Sequence, residues 1–487
     1  MNSGRGLAGS VAGGFSWNVV GSALRALLSF VLNVFLARLL GPTPFGLIAL
    51  ASVVTGLAGM LLDWGLSSAL IQKPELEDHD VRYVFAFQMA AGLGMTLLVA
   101  ALAPVLARLF AEPALTGVLR ALSPVLLVQA FGQVSTALLI RHMNFRRLQE
   151  AQLISYLVGY VGLGLPLALR GFGVRSLVAA QLGQTLVNTL ILFLSAPHSL
   201  AMTLRDPGEL PRFGRRVLGA NIASWLVPNL QSAIVGWRFG ATDLGYYGRS
   251  YSLSLTPVGI LVTSAQGVLF PAISQVGRGS RASRLFSLFL SALCVLLIPG
   301  YVLVAVGARE IILLLYGSAW LPAAPLLTPL ALAMLAFSLS ELGGPVLTGL
   351  GLPQVQLHVE WAVAGMALVI LFMASRLSLV AAAWAVLLIY VLRLALMSAR
   401  IVTALGLSWR SVWRPVLSGW CLAAIASAGW ALATAWVPST LALGWRVLIQ
   451  AVCALGCWAA ALLAGRRLFL PELREALRYL MGTRKVD

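Results

Sequence analysis

Five polar side chains share one face of the first apolar run of this sequence, and one of them carries a full charge. Their steps of four, three, four and four residues follow a helical face. Arg25 lies near mid-depth if the run spans a bilayer, where a charge costs at least roughly 2.5–3.5 kcal/mol. The pattern predicts a cationic cavity for an anionic ligand; an ion pair of Arg25 with Glu341 or Glu360, or snorkelling, is the alternative. The five residues are Asn18, Ser22, Arg25, Ser29 and Asn33.

Two later apolar runs carry polar faces of the same kind. The seventh run contributes Asn221, Ser224 and Gln231, and the eighth contributes Arg249, Ser252 and Thr256 at helical steps. Because polar faces are unfavourable against lipid, we expect them to line a cavity or another helix. Arg249 can line the cavity mouth or mark the membrane interface, and both interpretations stay open.

Carboxylates inside apolar runs are the second kind of candidate. Glu341 and Glu360 can each bind H⁺ or Na⁺ for ion coupling, or neutralise an arginine. Pro345 has no N–H to donate to the Glu341 carbonyl, so we expect the helix to kink or break there. Broken helices at membrane depth often line ion or substrate sites.

The composition identifies the elements that position these residues. The 487 residues are 60% apolar and only 10% charged, with a mean hydropathy of +0.91, whereas soluble domains are about 25% charged. These values exclude a soluble globular protein and a disordered chain, and the long apolar runs disfavour an outer-membrane barrel. The sequence predicts an all-α polytopic membrane protein with about 14 transmembrane helices.

The helices are expected at 15–37, 45–70, 83–109, 115–139, 150–169, 174–196, 216–237, 248–274, 285–307, 321–348, 354–374, 377–404, 413–436 and 444–465. The predicted domains are a cytoplasmic N-terminus (1–14), a six-helix bundle (15–196), a cytoplasmic linker (197–215), a second six-helix bundle (216–404), two extra transmembrane helices (405–465) and a cytoplasmic amphipathic tail (466–487).

The net charge of +18 comes mainly from arginines scattered through the gaps between apolar runs. No basic stripe interleaves with aromatic residues, so we expect no nucleic-acid partner. With residue 1 in the cytoplasm, cytoplasmic segments hold more than twice as many basic residues as the opposite side. This bias predicts that both termini are cytoplasmic.

A short motif recurs in the two predicted bundles. Gly-x-Thr-x-x-Gly occurs at 41–46 and again at 240–245, an offset of 199 residues. At the same offset Ser22 falls on Asn221, Arg25 on Ser224 and Asn33 on Ser232. The two polar faces therefore coincide, which predicts parallel repeats with the substrate site between them.

Motifs of enzyme chemistry are missing from the sequence. It has neither a GxxxxGK[ST] phosphate loop nor an HExxH zinc motif, and its four cysteines lie within apolar runs. We expect no catalytic residues, no metal and no cofactor apart from a coupling H⁺ or Na⁺.

Several short segments resemble the signatures of the polysaccharide-transporter family of lipid-linked oligosaccharide flippases. This family belongs to the multidrug/oligosaccharidyl-lipid/polysaccharide exporter superfamily, and the likeness is closest to the colanic-acid and exopolysaccharide branch. The matches are ARLLGP with FGL (37–47), DWGL with ALIQ (63–72), RHMNF (141–145), FG (213–214), GYY (245–247) and FPAIS (270–274).

The resemblance implies two six-helix bundles in a V plus two C-terminal helices, and alternating access in a bacterial inner membrane. It implies that an undecaprenyl-diphosphate-linked oligosaccharide moves from the cytoplasmic to the periplasmic leaflet. A polysaccharide polymerase and glycosyltransferases are the implied partners, besides membrane lipids. Arg25 matches the family's placement of cavity cations. The alternatives are a multidrug or organic-cation exporter of the same superfamily and a membrane polysaccharide polymerase or ligase.

Overall fold

A computed structural model describes residues 27–73, 75–203, 210–438 and 440–465, with the backbone alone for residues 210–228 and 260. In these ranges the regular structure is helical. The chain divides into two compact units, Met1–Gly245 and Tyr246–Asp487. The N-terminal 26 residues and the predicted amphipathic tail at 466–487 lie outside the described residues.

In the first unit the helices follow one another through short connections, α4 packs against α6, and α6 packs against α9. The helix that starts with α7 continues through a π-helical stretch, Leu157–Gly164. Gly159 and Gly164 in that stretch allow close contact with α9, because an added Cβ would meet Ala180 and Gln184. The helices are α1 (Leu27–Leu40), α2 (Pro42–Asp63), α3 (Leu66–Gln72), α4 (Asp78–Leu109), α5 (Ala114–Leu122), α6 (Pro124–Arg141), α7 (Phe145–Tyr156), α8 (Leu165–Leu169), α9 (Val174–Ser195) and the first part of α10 (Leu210–Pro257).

In the second unit, α14 lies at the centre, packed against α12 and α17, and is almost entirely buried. The two last helices, α18 and α19, pack on each other, and α18 also packs on α12. The helices after α10 and a π-helical turn (Val258–Val262) are α11 (Thr263–Val276), α12 (Ser280–Val306), α13 (Ala308–Leu315), a 3₁₀ helix (Ser318–Ala323), α14 (Ala324–Ser340), α15 (Gly343–Gly349), α16 (Pro353–Ser375), α17 (Leu379–Leu405), α18 (Trp409–Trp436) and α19 (Leu443–Ala464).

The candidate membrane-spanning helices coincide with eleven of the predicted apolar runs. Among the described residues, eleven helical segments are long and apolar enough to cross a bilayer, and α1 is a shorter apolar helix. The all-helical membrane fold is confirmed, whereas the count of fourteen stays a prediction. The predicted domain bounds also stay a prediction.

Two predicted connections are wrong in detail. The segment 238–247 is helical apart from Gly240, whose backbone (φ 83°, ψ −177°) produces the kink in α10. The segment 308–320 is occupied by α13 and the start of the 3₁₀ helix. Both segments contain charged residues between apolar runs, a pattern that marks a break in hydropathy and need not mark a break in the helix.

The repeated Gly-x-Thr-x-x-Gly motif has the same backbone at both positions. Gly41 (φ 72°, ψ −175°) separates α1 from α2, much as Gly240 interrupts α10. A side chain is strained at this positive φ, which explains the glycine in both copies. The next helical segment starts with Pro42 in one copy and with Ala241 in the other. Pro42 has no N–H to satisfy, whereas the Ala241 N–H donates to the Glu112 carboxylate at 2.6 Å.

The two copies of the motif touch each other within the first unit. Thr43 Oγ1 and Thr242 Oγ1 share a hydrogen bond of 2.8 Å, and these residues are 199 positions apart. A Cβ on Gly46 would overlap the carbonyl of Ala241, and a Cβ on Gly245 would overlap the carbonyl of Pro42. The contact is thus reciprocal, because equivalent residues meet around the threonine pair. The structure confirms the repeat at this turn.

Candidate functional site: an ionic cluster beside a cavity

The helix interruption predicted at Pro345 is present in the second unit, at Glu341 and Leu342, which keep helical dihedrals. The helix α14 ends at Ser340 and α15 begins at Gly343. Since Pro345 cannot donate to the carbonyl of Glu341, that carbonyl accepts a hydrogen bond from Gln266 Nε2 of α11 at 2.9 Å. The same amide group donates to Glu341 Oε2, also at 2.9 Å. Gln266 therefore fixes both the backbone and the side chain of Glu341.

Arg393 of α17 is the centre of an ionic cluster at this break. Its Nη2 lies 2.7 Å from Glu341 Oε1 and 2.6 Å from Glu360 Oε1 of α16. Its Nε donates to Glu360 Oε2 at 3.3 Å, and its Nη1 donates to Ser340 Oγ. The guanidinium also lies over the ring of Phe337, with 5.0 Å from Cζ to the ring centroid. These contacts tie α14, α16 and α17 to one side chain.

Two glycines of α15 allow the helices to come this close. A Cβ on Gly343 would overlap the side chain of Met397 in α17. A Cβ on Gly349 would lie 2.9 Å from Ile273 Cγ2 in α11. The short helix α15 thus sits between α17, which carries Arg393, and α11, which carries Gln266.

The charges in the cluster are unequal. Arg393 is 5% exposed, so its charge is almost fully desolvated and requires a counter-charge. Two carboxylates provide it, and with all three groups ionised the cluster carries one surplus negative charge. Glu341 and Glu360 keep about a quarter of their side-chain surface exposed, so each can still be reached from outside the cluster.

A cavity of about 430 Å³ opens beside the cluster, within the common size range of small-ligand pockets. Its wall combines amides, a hydroxyl, a carboxylate and an aromatic ring with backbone surface left open by the helix break. The lining residues are Gln266, Gly267, Phe270, Glu341, Gly344, Pro345, Thr348, Gln356 and Arg393.

The residues predicted to form the cationic cavity are only partly described. Arg25, Asn18 and Ser22 lie outside the described residues, as do the side chains of Asn221 and Ser224. Ser29 and Asn33 are half-buried in α1, and Asn33 Nδ2 donates to the Ser29 carbonyl within the helix at 2.8 Å. Gln231 is buried in the first unit. Their common role as a binding cavity stays a prediction.

The face predicted on the eighth run belongs to the second unit. Arg249 is half-buried and Ser252 is exposed, both in α10. Thr256 Oγ1 donates to the Ser252 carbonyl at 3.0 Å, a bond inside the helix. Gln266 lies in α11, beyond the π-helical turn, and its side chain reaches Glu341 of the ionic cluster.

Glu341 and Glu360 are brought together, but by a residue to which the sequence analysis assigned no role. Arg393 was visible as a charge within a predicted span, and such a charge requires a partner. The two open roles for the carboxylates were ion coupling and neutralisation of an arginine. The structure shows the second, with Arg393 as the arginine. Arg25 lies outside the described residues, and the coupling role stays a prediction.

The first unit has a polar cluster of its own around Asp63, at the end of α2. Asp63 Oδ1 accepts hydrogen bonds from Ser67 Oγ and from Gln88 Nε2, the latter at 3.0 Å. Nearby, Arg141 Nη1 donates to the last carbonyls of α3, those of Leu70 (2.8 Å), Ile71 and Lys73. Arg141 thus satisfies carbonyls at the C-terminal end of α3 that have no partner within the helix, whereas Asp63 and its partners stabilise the α2–α3 corner.

Fold and site together define a multi-pass helical membrane protein with an ionic cluster beside a cavity. A family model described as "Polysaccharide biosynthesis protein" matches residues 35–325, and the chain belongs to this family. One relative is named as a transport protein, and the chain belongs with transporters rather than with enzymes.

Relatives and a solved structure agree with this assignment. The succinoglycan biosynthesis transport protein ExoT of Rhizobium meliloti is 31% identical over 69% of this chain and 68% of its own. The lipopolysaccharide biosynthesis protein WzxC of Escherichia coli is 23% identical over 68% of each chain. The inward closed conformation of the lipid II flippase MurJ has the same fold, with a TM-score of 0.74 and 14% identity over 92% of this chain and 99% of its own.

Proposed function

We propose that this protein moves an undecaprenyl-diphosphate-linked oligosaccharide repeat unit from the cytoplasmic to the periplasmic leaflet by alternating access, for exopolysaccharide or O-antigen-type biosynthesis. The observation that carries the proposal is the family membership, together with a fold like that of a lipid II flippase along nearly the whole chain. The membrane is the bacterial inner membrane, with both termini in the cytoplasm.

In this proposal different polar residues bind the diphosphate and the sugar head of the substrate. Arg25, at mid-depth of the first predicted span, binds the diphosphate, since a guanidinium offers a planar fork of donors to phosphate oxygens. Asn18, Asn33, Asn221 and Gln231 supply hydrogen-bond partners to the sugar head. The polyprenyl chain stays in the lipid.

Glu341 and Glu360 are the candidates for ion coupling. Two carboxylates share the single guanidinium of Arg393, so binding one H⁺ or Na⁺ neutralises the cluster. Such an event changes the contacts that tie α14 and α16 to α17. Coupling by this route therefore has a mechanical consequence for the second unit.

The test is leaflet-resolved lipid analysis in a strain deleted for this gene. We expect undecaprenyl-linked oligosaccharides to accumulate where a periplasmic sugar-modifying enzyme cannot reach them, with loss of surface polysaccharide. Normal delivery to the periplasmic leaflet, with only drug sensitivity changed, would contradict the proposal and favour a cation exporter.

Complementation with variants tests the diphosphate contact. Arg25→Ala should abolish delivery while membrane insertion is retained, and Arg25→Lys should restore it only in part, because lysine lacks the bidentate fork. Arg400→Ala is the control, since Arg400 is exposed on α17. Wild-type delivery by a well-expressed Arg25→Ala variant would contradict the role of Arg25.

A further inference from the structure

The cavity of the second unit has the lining expected for a neutral, polyhydroxylated ligand. Gln266 and Gln356 present amides, Thr348 a hydroxyl and Glu341 a carboxylate. Planar amide and carboxylate groups can pair with two neighbouring hydroxyls at once, and together they offer donors and acceptors. Phe270 is 43% exposed at the wall, so its ring can pack on the C–H face of a sugar.

The charge balance disfavours an anionic ligand in this cavity. Arg393 lines the wall, but its guanidinium already contacts two carboxylates and Ser340. The cluster has one positive group against two negative ones, so a diphosphate here would meet a net negative field. The part of the substrate that fits is therefore the neutral head.

The polar groups of the wall are held in place before any ligand binds. Thr348 Oγ1 donates to Gln356 Oε1 at 3.2 Å, which leaves the Gln356 NH₂ as a donor toward the cavity. A Cβ on Gly344 would lie 3.0 Å from Gln356 Nε2, so the glycine leaves room for the amide. Gln266 is fixed by its two bonds to Glu341. Such preorganisation lowers the entropy lost on binding.

We propose that this cavity is a saccharide subsite that holds one sugar ring of the lipid-linked substrate. This inference rests on the proposed function and adds where the sugar head binds. In this arrangement the diphosphate of the intact substrate binds outside the cavity, and one of its sugars binds beside the ionic cluster. Gln356 is its most specific residue, because it lines the cavity and takes no part in the Arg393 cluster.

The test compares the binding of lipids with and without a sugar to the purified full-length chain. The probes are undecaprenyl diphosphate alone and undecaprenyl diphosphate carrying glucose, galactose or N-acetylglucosamine, titrated by native mass spectrometry. The wild type should bind at least one sugar-bearing lipid more tightly than the sugar-free lipid. Gln356→Leu should weaken that lipid about 3- to 10-fold, the usual effect of one lost hydrogen bond, and leave the sugar-free lipid unchanged.

Matched variants keep the result specific. Gln354→Leu makes the same change two residues earlier, at an exposed position outside the cavity wall, and should leave the binding of both lipids unchanged. Thr348→Val removes the hydroxyl that holds Gln356 and should give a weaker version of the Gln356→Leu effect. A thermal unfolding scan of each variant identifies any that fail to fold.

The outcomes separate this inference from the proposed function. Wild-type protein that binds sugar-free lipid as tightly as all three sugar-bearing lipids would overturn the saccharide subsite alone. It would also be overturned if Gln356→Leu weakened the binding of sugar-free and sugar-bearing lipids equally. A binding response to Na⁺ rather than to sugar that depends on Gln356 would overturn it too. Failure of the wild type to bind any of these lipids would overturn the proposed function and this inference with it.

Discussion

Two regions of the molecule relate differently to the internal repeat. One is the contact between the two motif copies at residues 41–46 and 240–245, and the other is the ionic cluster of the second unit. At the turn, equivalent residues have the same backbone and contact each other reciprocally. At the cluster, chemistry appears in one repeat only. At a constant 199-residue offset, Glu341, Glu360 and Arg393 fall on His142, Val161 and Leu194, so this offset aligns no second set of these charges in the sequence.

The difference has a physical reason. A glycine turn with a close backbone contact depends on small residues and can be formed twice at no electrostatic penalty. A buried guanidinium with two carboxylates is favourable only when all of its partners are present, because each unpaired charge is costly to desolvate. Such a cluster is therefore favourable only as a complete set, whereas the glycine turn requires no partner charges.

Loss of Arg393 should be the most damaging change in this comparison. Arg393→Gln leaves Glu341 and Glu360 close together without a counter-charge, and removing one partner of a buried ion pair costs about 3–5 kcal/mol. We expect a large fall in thermal stability in detergent and in the amount of protein in the membrane.

Two controls define the cause. Arg400→Gln removes an exposed arginine from the same helix and should change stability by less than about 0.5 kcal/mol. Adding Glu341→Gln and Glu360→Gln to the Arg393 variant removes the uncompensated charges and should recover part of the loss. A triple variant no more stable than Arg393→Gln would show that packing on Phe337 matters more than charge.

Adding a methyl group at the turn should cause the second largest loss of stability. Gly46→Ala and Gly245→Ala each drive a Cβ into a backbone carbonyl that cannot move easily, and overpacking of this kind costs about 1–3 kcal/mol or more. Because the contact is reciprocal, the two variants should lose similar stability in thermal unfolding. A large loss of stability in one variant and none in the other would contradict the reciprocal contact.

A glycine without neighbours is the control. Gly94 lies exposed in α4, and an added Cβ there meets no atom within 4 Å. Gly94→Ala should stabilise the protein by up to about 1 kcal/mol, since alanine has the higher helix propensity. Opposite signs for Gly46→Ala and Gly94→Ala would separate the close contact from the general effect of glycine in helices.

Much of the fold could be predicted from hydropathy, because lipid demands long apolar helices with satisfied backbones. The helix break at Glu341 was also predictable, since it follows from the missing N–H of Pro345. The helical character of residues 238–247 was not, because only the dihedrals of Gly240 distinguish a one-residue kink from a loop.

The site was less predictable than the fold. The sequence identified Glu341 and Glu360 but gave no means of choosing which arginine pairs with them, because Arg25 and Arg393 both lie inside apolar runs. The choice depends on α17 packing beside α14 and α16, a contact between residues 33 and 52 positions apart. Periodicity along one helix contains no information about such contacts between helices.

The threonine pair gives a smaller effect that sharpens the symmetry argument. Thr43→Val and Thr242→Val each remove one partner of the 2.8 Å hydrogen bond and should cost about 1 kcal/mol. The double variant should cost less than the sum of the two single variants, because it leaves neither hydroxyl without its partner. Strict additivity in a double-mutant cycle would show that the bond contributes nothing.

The smallest expected effect concerns a basic side chain that is at least half-buried in each unit, Arg393 in the second and His198 in the first. Arg393 lies among carboxylates, whereas His198 of the first unit packs on the rings of Phe85 (4.9 Å) and Phe193 (5.5 Å), with Nδ1 3.1 Å from the carbonyl oxygen of Ser199. Burial lowers the pKa of His198 below its ordinary value, and the bond to Ser199 opposes this shift only in part. Since the unfolded chain then binds a proton more readily than the folded one, His198 favours folding fully above about pH 6.5.

This favourable contribution should decrease as the pH falls below that value toward the lowered pKa of the folded state. We expect the melting temperature to fall between pH 7.5 and 5.5 by more in the wild type than in His198→Phe, which cannot titrate. His142→Phe, at an exposed position, is the control and should show the same change of melting temperature with pH as the wild type. Equal slopes in all three proteins would mean that His198 is hydrated in both states, and the contrast with the paired Arg393 would then be lost.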